Sequence, residues 1–300
     1  MEKEDAIREF ALKRPSALGV YGYGSGVFKQ SNASGKPLTD VIFIVDDIKL
    51  WHRTNMGLNK KDYSIIGKAH LSRSNISKLK GRNNITYFSE IKDGEYTFKY
   101  GVIEIEDFKR GLTIWDNIFV AGRFHKPVLE IISQDDIRKA ISYNRRCALM
   151  IASIFSDRYV DKEDLYNKIC GLSYMGDARM AIAENPNKVE NIVRGSFDKL
   201  EEVYSLEEDY IYHINSYTLL INHDRLLERI EELPKTLVDY LKSMDTDFTD
   251  LDMVRINIGE FLLEKNKVES KAQILEGVKT NGVVRSVPYA LAKVKKRFSN

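Results

Sequence analysis

The sequence predicts an α+β protein, with a small mixed sheet and helices first and a mostly helical part after it. Up to about residue 135, short apolar runs of strand character alternate with helical spacing and turn residues, an order typical of a mixed sheet with helices. Beyond that point strand character fades and helical spacing dominates. We therefore expect three units, residues 1–135, residues 136–268 and a basic tail over residues 269–300.

The first two strands flank a glycine-rich turn. Residues 4–13 have helical spacing and end before a proline, which stops a helix. Residues 18–23 form a predicted strand that breaks into the turn Gly22-Tyr-Gly-Ser-Gly26. After a loop over residues 29–38, Asp40-Val-Ile-Phe-Ile-Val45 is predicted to be a short buried strand with a carboxylate at its leading end.

The rest of the first unit predicts two helices and a hairpin. Helices are expected over residues 46–63 and 65–79. The runs 85–91 and 96–105 are rich in β-branched and aromatic residues and flank an Asp-Gly pair, which is a strong hairpin signal. This order favours a small twisted sheet with helices on one side.

The second unit and the tail are predicted from helical spacing. Four helices are expected in the second unit, over residues 137–156, 162–171, 189–204 and 223–242. In the tail, after a hinge at Gly277 and Asn281-Gly282, the apolar residues Val287, Leu291, Val294 and Phe298 form one helical face. No acidic residue follows Glu276. The basic residues that accompany the apolar face are Arg285, Lys293, Lys296 and Arg297. A basic amphipathic helix fits an anionic membrane surface, and packing on its own domain is the alternative.

Composition excludes several classes of protein. The net charge is +2, the mean hydropathy is −0.35, and no apolar run approaches the roughly 18 residues that span a bilayer. The N-terminus has neither a secretory nor a mitochondrial import pattern. Cys147 and Cys170 stand in apolar surroundings without metal-ligand spacing, so we expect reduced core residues in a reducing cytosol.

Gly24, Ser25 and Asp40 indicate a phosphate and metal site. Glycines let backbone N–H groups approach phosphates, and the Ser25 hydroxyl adds a further donor. A carboxylate on the adjacent strand, Asp40, is suited to holding Mg²⁺ against the same phosphates. Together these residues suggest a nucleotidyltransferase of the polymerase-β type, and a glycine turn without a ligand is the alternative.

The second carboxylate of that pattern is missing, because Ile42 stands where it would lie. Asp46 is about 20 Å farther along the strand, so Asp46 and Asp47 are interpreted as helix-capping residues. Glu104 is a candidate ligand from a neighbouring strand, with an exposed strand residue as the alternative.

Basic residues for charge compensation follow later in the chain. Lys99 and Tyr100 on the hairpin strand are expected to reach the cradle. Arg123 and Lys126 form a compact basic turn suited to phosphate, with a solvated loop as the alternative.

These motifs resemble one family, the mitochondrial-type phosphatidate cytidylyltransferases, also called translocator assembly and maintenance proteins. The resemblance extends in order from residue 22 to residue 296 and includes the glycine turn and Asp40. Its other pieces are Trp51-His52 with Asn55 and Tyr63-Ser64, Lys99-Tyr-Gly-Val102, Ala121-Gly-Arg123 with Lys126-Pro-Val128, Leu172-Ser-Tyr-Met-Gly-Asp177 with Arg179, Asn187-Lys-Val189 with Asn191-Ile-Val193, and Gly282 to Lys296.

The resemblance implies an enzyme that converts CTP and phosphatidic acid to CDP-diacylglycerol and pyrophosphate with Mg²⁺, on the route to phosphatidylglycerol and cardiolipin. It also implies a nucleotidyltransferase domain, a winged-helix-like helical domain and a membrane-associating C-terminal helix. Family members also lack the second strand carboxylate. Asp40, Ser25 and Lys99 would then be catalytic, with Asp40 the metal ligand, and the nucleotide would contact Gly24, Ser25, Gly26, Tyr100, Asp177 and Arg179.

Phosphate or lipid would contact Arg123, Lys126, Arg285, Lys293, Lys296 and Arg297. Without an import sequence, we expect a prokaryotic member bound peripherally to the inner face of the cell membrane. The matrix side of the mitochondrial inner membrane is the alternative location. A nucleotidyltransferase with another acceptor and a non-catalytic nucleic-acid-binding protein are the rival functions, although we expect no nucleic-acid partner.

Overall fold

The computed structural model describes residues 3–28, 38–63, 84–177, 179–180, 185–204 and 206–281, with side chains up to residue 272. It confirms the mixed α+β class, because a five-stranded and a three-stranded sheet are combined with helices. The helix expected over residues 65–79, most of the loop over 29–38 and the amphipathic tail helix lie outside the described residues.

The first part of the chain forms the larger sheet. Its elements are α1 (Lys3–Leu12), β1 (Gly19–Tyr23), β2 (Thr39–Val45), α2 (Ile48–Leu58), a 3-10 turn (Lys60–Asp62), β3 (Ile85–Asp93), β4 (Tyr96–Glu104), α3 (Ile105–Thr113), α4 (Ile118–Phe124) and β5 (Leu129–Ile132). The strand and hairpin predictions are confirmed. Asp47 caps α2, as predicted, because its carboxylate accepts the backbone N–H groups of Lys49 and Leu50 at 2.7 and 2.9 Å.

The strand order of this sheet is β3-β4-β2-β1-β5. Strands β2 and β4 are parallel, whereas the other pairs are antiparallel. In this register Asp40 lies beside Tyr23 on one side and beside Lys99 on the other. The sheet therefore places Asp40 between Tyr23, which is 17 residues earlier in the sequence, and Lys99, which is 59 residues later.

Both faces of this sheet are covered by helices, so the prediction of helices on one side was wrong. The odd-numbered side chains of β2 pack with α1 and α2, and they are Val41, Phe43 and Val45. Ile42 and Ile44 point to the other face and pack with α3 and α4. All five of these side chains are buried. A continuous apolar run such as Val41–Val45 is typical of a central strand buried on both faces, so this signal for a second helical layer was present in the sequence.

A buried polar network supports the face covered by α1 and α2. The Arg14 guanidinium donates to Asp62 Oδ2 at 2.7 Å, and the Tyr100 hydroxyl donates to the same oxygen at 2.8 Å. Asn55 Nδ2 donates to the hydroxyls of Tyr100 and Tyr63 at 3.2 and 3.0 Å. The side chains of Arg14 and Asp62 are only 3% and 7% exposed. This network explains why polar residues occupy an otherwise apolar interface.

The second part is mostly helical, and it contains a small sheet that the sequence interpretation missed. Its elements are α5 (Asp135–Ile154), β6 (Tyr159–Asp161), α6 (Lys162–Gly171), a 3-10 turn (Leu172–Tyr174), α7 (Lys188–Gly195), α8 (Phe197–Val203), β7 (Ile211–His213), β8 (Thr218–Ile221), α9 (His223–Leu227), a 3-10 turn (Ile230–Glu232), α10 (Lys235–Ser243) and α11 (Leu251–Asn281). The order of the antiparallel sheet is β6-β8-β7. Strands of three or four residues are too short to show a clear period.

Two predicted helices are interrupted, and the long helix α11 was not predicted. The helix expected over 189–204 breaks at Ser196, and the one expected over 223–242 breaks before Pro234. Helix α11 continues across residue 268, where a boundary was expected, and Gly277 lies inside it. No helix in the part of the chain that the structure describes combines the length and apolar composition needed to cross a bilayer.

Candidate active site

The glycine turn brings the backbone next to Asp40. Gly24 has φ +74°, a conformation that L side chains rarely adopt, and a Cβ there would lie 3.4 Å from Asp40 Oδ2. The carbonyl of Gly24 accepts the N–H groups of Val27 and Phe28, both at 3.0 Å. A Cβ on Gly26 would lie 2.0 Å from the Leu38 carbonyl oxygen. The turn therefore needs glycine at both positions, and Ser25 lies between them.

Asp40 forms the centre of a charged cluster on the α3/α4 face of the sheet. Its Oδ1 lies 3.5 Å from Lys99 Nζ, and the two side chains are 22% and 18% exposed. The Lys99 ammonium also lies 4.9 Å from the centre of the Tyr87 ring. Asp40 and Lys99 thus remain accessible at the edge of an otherwise buried face.

Three buried polar atoms beside this pair have no hydrogen-bond partner among the described residues: Tyr23 Oη, Tyr87 Oη and Arg123 Nε. Burial, and after it the charge of Asp40, raises the pKa of Tyr23 to about 12. A buried polar group left unpaired costs about 1–3 kcal/mol. Their concentration around Asp40 therefore indicates a place organised for binding, because stability alone would favour apolar residues there.

Two guanidinium groups approach this cluster, one from α4 and one from the segment after the 3-10 turn at Leu172–Tyr174. The Arg123 guanidinium lies 3.5 Å from the centre of the Phe119 ring, and that of Arg179 lies 5.6 Å from the same ring. Buried Asp177 holds Arg179 through Nε at 2.9 Å and Nη2 at 2.5 Å. Asp177 thus orients Arg179, and its carboxylate is already occupied by that bidentate pair.

Lys126 lies just past the end of α4 and contacts the helical part of the chain. Its Nζ donates to the Gly122 carbonyl at 2.6 Å and to Ser173 Oγ at 2.8 Å. A Cβ on Gly122 would lie 2.2 Å from Ser173 Cβ. Glycine at this position therefore allows α4 and the 3-10 turn at Leu172–Tyr174 to meet.

A carboxylate from the distant helix α11 anchors the start of α4. Glu269 accepts the backbone N–H groups of Ile118 at 3.1 Å and Phe119 at 2.5 Å. Asn117 caps the same helix end by accepting the N–H of Val120. Because α4 carries Phe119 and Arg123, Glu269 positions the basic side of the site from about 150 residues away.

We expect Glu269→Gln to remove a pH dependence of folding stability. Burial raises the pKa of Glu269 from 4.5 to about 7, although the two N–H donors oppose this shift. Between these pH values the folded state keeps a proton that the unfolded state releases, so this group makes the free energy of unfolding decrease as pH rises. Urea unfolding of both proteins from pH 4.5 to pH 8 measures the difference. Parallel curves for the two proteins would contradict the expectation.

The residues around Asp40 fit a divalent cation held partly by its substrate. Among the described residues, no group of three or more His, Cys, Asp or Glu side chains forms a complete metal cage. Mg²⁺ is commonly bound by one or two carboxylates together with substrate phosphates and water. Asp40, with a glycine cradle alongside it and buried unpaired polar atoms nearby, matches that mode of binding.

The structure brings together most of the predicted site residues that it describes. One cluster contains Asp40, Gly24, Lys99 and Arg123. The pair of Asp177 and Arg179 lies next to this cluster, because the Arg179 guanidinium approaches the same Phe119 ring as Arg123. The basic tail residues Arg285, Lys293, Lys296 and Arg297 lie outside the described residues.

Tyr100 and Glu104 were expected at the site, but both lie away from Asp40. Tyr100 is fully buried on the opposite face, where its hydroxyl bonds Asp62, so we no longer expect it to contact a nucleotide. Glu104 lies beside Val45 at the far end of the strand and accepts the N–H of Ile48. Because Lys99 and Tyr100 are consecutive strand residues, they point to opposite faces. That alternation was a signal that only one of them belongs to the site.

Sequence reasoning missed three neighbours of the site: Tyr87, Phe119 and Glu269. Three others lie in motifs that carry the resemblance but were not singled out as site residues: Tyr23, Ser173 and Lys188. Tyr23 had a usable signal, because it directly precedes Gly24 at the strand end. No local pattern connects Glu269 with α4, since that contact depends on the path of the chain between them.

Comparison with known proteins gives consistent matches. A family model described as mitochondrial phosphatidate cytidylyltransferase matches residues 9–296. A curated protein of that name from Schizosaccharomyces pombe is 33% identical, over 92% of this chain and 79% of its own length. Those from Caenorhabditis elegans and Mus musculus are 28% and 30% identical, over 92% and 97% of this chain and 93% and 94% of their own lengths. The similarity therefore extends over both the sheet and the helical part.

Proposed function

Because the chain belongs to the family of mitochondrial phosphatidate cytidylyltransferases, we propose how its residues carry out the reaction that this membership assigns. That reaction converts CTP and phosphatidic acid to CDP-diacylglycerol and pyrophosphate, a step of phospholipid synthesis. An oxygen of the phosphatidate phosphomonoester attacks the α-phosphorus of CTP. The bond from the α-phosphorus to the bridging oxygen breaks, and pyrophosphate leaves with the electron pair. Such transfers depend on positioning and charge compensation.

The glycine turn and Asp40 are proposed to receive the triphosphate. Backbone N–H groups around Gly24 and Gly26 and the Ser25 hydroxyl would donate to its oxygens. Asp40 would hold Mg²⁺, which neutralises charge on the triphosphate when bound. Lys99, 3.5 Å from Asp40, and the guanidinium of Arg123 compensate the remaining charge. Arg179, oriented by Asp177, extends this basic surface to the nucleotide from the helical part.

The observation that carries this proposal is the environment of Asp40. Its carboxylate lies beside a glycine with positive φ, beside an ammonium group, and close to buried polar atoms that have no described partner. A purely structural carboxylate in a sheet of this kind would instead be paired and enclosed, as Asp62 is.

Incubation with radiolabelled nucleoside triphosphates and phosphatidic acid tests the proposal. We expect a labelled lipid with CTP and much less with ATP, GTP or UTP. A labelled protein, RNA or small molecule without lipid product would indicate a different acceptor. Salt-dependent nucleic-acid binding without any transfer would indicate a binding protein, and either result would overturn the proposal.

We also propose peripheral binding to an anionic membrane through the tail after residue 281. The support is compositional: basic residues and an apolar stripe share this segment, and each basic residue near an anionic surface contributes about 1 kcal/mol. Sedimentation with phosphatidate-containing vesicles should fall when residues 283–300 are removed, and unchanged sedimentation would contradict this. The relatives are named as mitochondrial, which favours the mitochondrial inner membrane over the cell membrane as the location.

The finer fold assignments remain proposals. A mixed sheet with a glycine turn beside a metal-binding carboxylate supports a polymerase-β-like nucleotidyltransferase domain over residues 1–135. Helices with a small three-stranded antiparallel sheet support a winged-helix-like domain over residues 136–268. A crystal structure of the complex with CTP would test both assignments by superposition on those folds.

A further inference from the structure

A basic corner lies where the end of α4 meets the helical part of the chain. We define the lysine corner as Lys126, Ser173, Tyr174 and Lys188. Lys126 Nζ bonds Ser173 Oγ at 2.8 Å, and it lies 4.8 Å from the centre of the Tyr174 ring. Lys188 Nζ lies 5.3 Å from the same ring. Two ammonium groups from different parts of the fold therefore converge on one tyrosine.

Lys126 has other cations near it and no carboxylate partner among the described residues. Burial lowers the pKa of Lys126, Tyr174 and Cys170 oppose that shift, and the positive charges of Lys188 and Arg123 add to it. Lys126 forms no ion pair with a carboxylate of the described residues. Holding a partly buried cation such as Lys126 near like charges costs free energy unless an anion accompanies it. This arrangement is characteristic of a binding site for an anionic ligand.

Two hydrogen-bond donors in the corner have no acceptor among the described residues. An ammonium group has three N–H donors, and Lys126 uses two of them, for the Gly122 carbonyl and Ser173 Oγ. Because Ser173 Oγ accepts from Lys126, its own hydrogen remains to be donated. The third N–H of Lys126 and the Ser173 hydroxyl are therefore adjacent donors, which suit two oxygens of one phosphate.

We propose that the lysine corner binds the phosphomonoester of the acceptor lipid, whereas the turn at Gly24 and Asp40 binds CTP. This inference rests on the proposed function. A phosphomonoester carries a charge of about −1.5 to −2 near pH 7, which two ammonium groups match. The triphosphate suits the other side of the site, because Asp40 is a carboxylate that would hold Mg²⁺ there together with substrate phosphates.

Arg123 lies between the lysine corner and the turn at Gly24 and Asp40. It is one turn before Lys126, and it faces the aromatic residues beside Asp40. The transfer requires two anionic phosphates to approach to about 3–3.5 Å between reacting atoms. A guanidinium between them reduces their repulsion. The same helix, α4, would then set the separation of the two substrates.

Steady-state kinetics of Lys188→Gln with a short-chain, water-soluble phosphatidate test the assignment without a membrane. We expect the KM for phosphatidate to rise about 10–100-fold, the range expected for loss of one charged hydrogen-bond partner, with the KM for CTP within about twofold of wild type. Lys188→Arg should restore much of the affinity. Lys139→Gln, on the exposed surface of α5, is the matched control and should leave both constants unchanged.

Inorganic phosphate distinguishes the headgroup from the rest of the lipid. We expect it to compete with phosphatidate in the wild type, and to do so more weakly in Lys188→Gln. A rise in the KM for CTP alone would place the triphosphate in the corner, and unchanged constants would remove the corner from the site. Both results overturn this inference while lipid product from the wild type still supports the proposed function. Absence of any lipid product from the wild type would instead refute the proposed function.

Discussion

Replacement of Asp40 by asparagine is expected to lower kcat/KM by about 10³-fold, while the protein remains folded. The amide keeps the shape of the side chain but loses the charge that would hold Mg²⁺ and balance Lys99. Loss of one well-placed electrostatic partner of a transition state costs roughly 10²–10³-fold, and loss of a metal ligand adds to it. The measurement is formation of CDP-diacylglycerol at saturating Mg²⁺.

The folded state should tolerate this change, because Asp40 is partly exposed and its ion pair is long. Ion pairs of this kind contribute about 0–1 kcal/mol, so thermal unfolding should move only slightly. Asp46→Asn is the matched control: Asp46 is exposed just beyond the other end of β2. It should retain full activity. Near-normal activity of Asp40→Asn would exclude Asp40 as the metal-binding carboxylate.

Replacement of Asp62 by asparagine is expected to lower the free energy of unfolding by about 3–5 kcal/mol. Asp62 Oδ2 accepts from both Arg14 and Tyr100, at 2.7 and 2.8 Å. The change leaves the Arg14 guanidinium buried without its counter-charge, since Arg14 is only 3% exposed in the pair. Chemical unfolding at fixed pH measures this loss.

The exposed pair of Lys13 and Asp93, at 2.7 Å, provides the comparison. Lys13→Gln should change stability by less than about 1 kcal/mol. The double change Arg14→Met with Asp62→Leu should recover part of the loss, because apolar residues of similar size need no counter-charge. If Asp62→Asn and Lys13→Gln had equal effects, the buried pair would not stabilise the fold as described.

The two predictions concern opposite faces of one sheet. Asp40 and Lys99 lie on the face covered by α3 and α4, whereas Tyr100 and Asp62 lie under α1 and α2. Asp62→Asn should therefore reduce the amount of folded enzyme more than the kcat of each folded molecule. Asp40→Asn should do the reverse, which separates a role in chemistry from a role in folding.

Local patterns in the sequence were sufficient for the glycine turn, the strand that contains Asp40, the capping role of Asp47 and the hairpin of β3 and β4. Each depends on backbone preferences over a few residues, such as a glycine that accepts positive φ or an aspartate before a helix. The resemblance to known motifs added the reaction, because it extends over nearly the whole chain.

Only the tertiary structure decided which of these residues meet. The parallel register of β2 and β4 places Asp40 beside Lys99 and directs Tyr100 to the other face. Contacts of α4 with Ser173 and Glu269 depend on how distant segments return to it. Sequence spacing does not predict these contacts, because they depend on how distant segments pack against one another and not on local backbone preference.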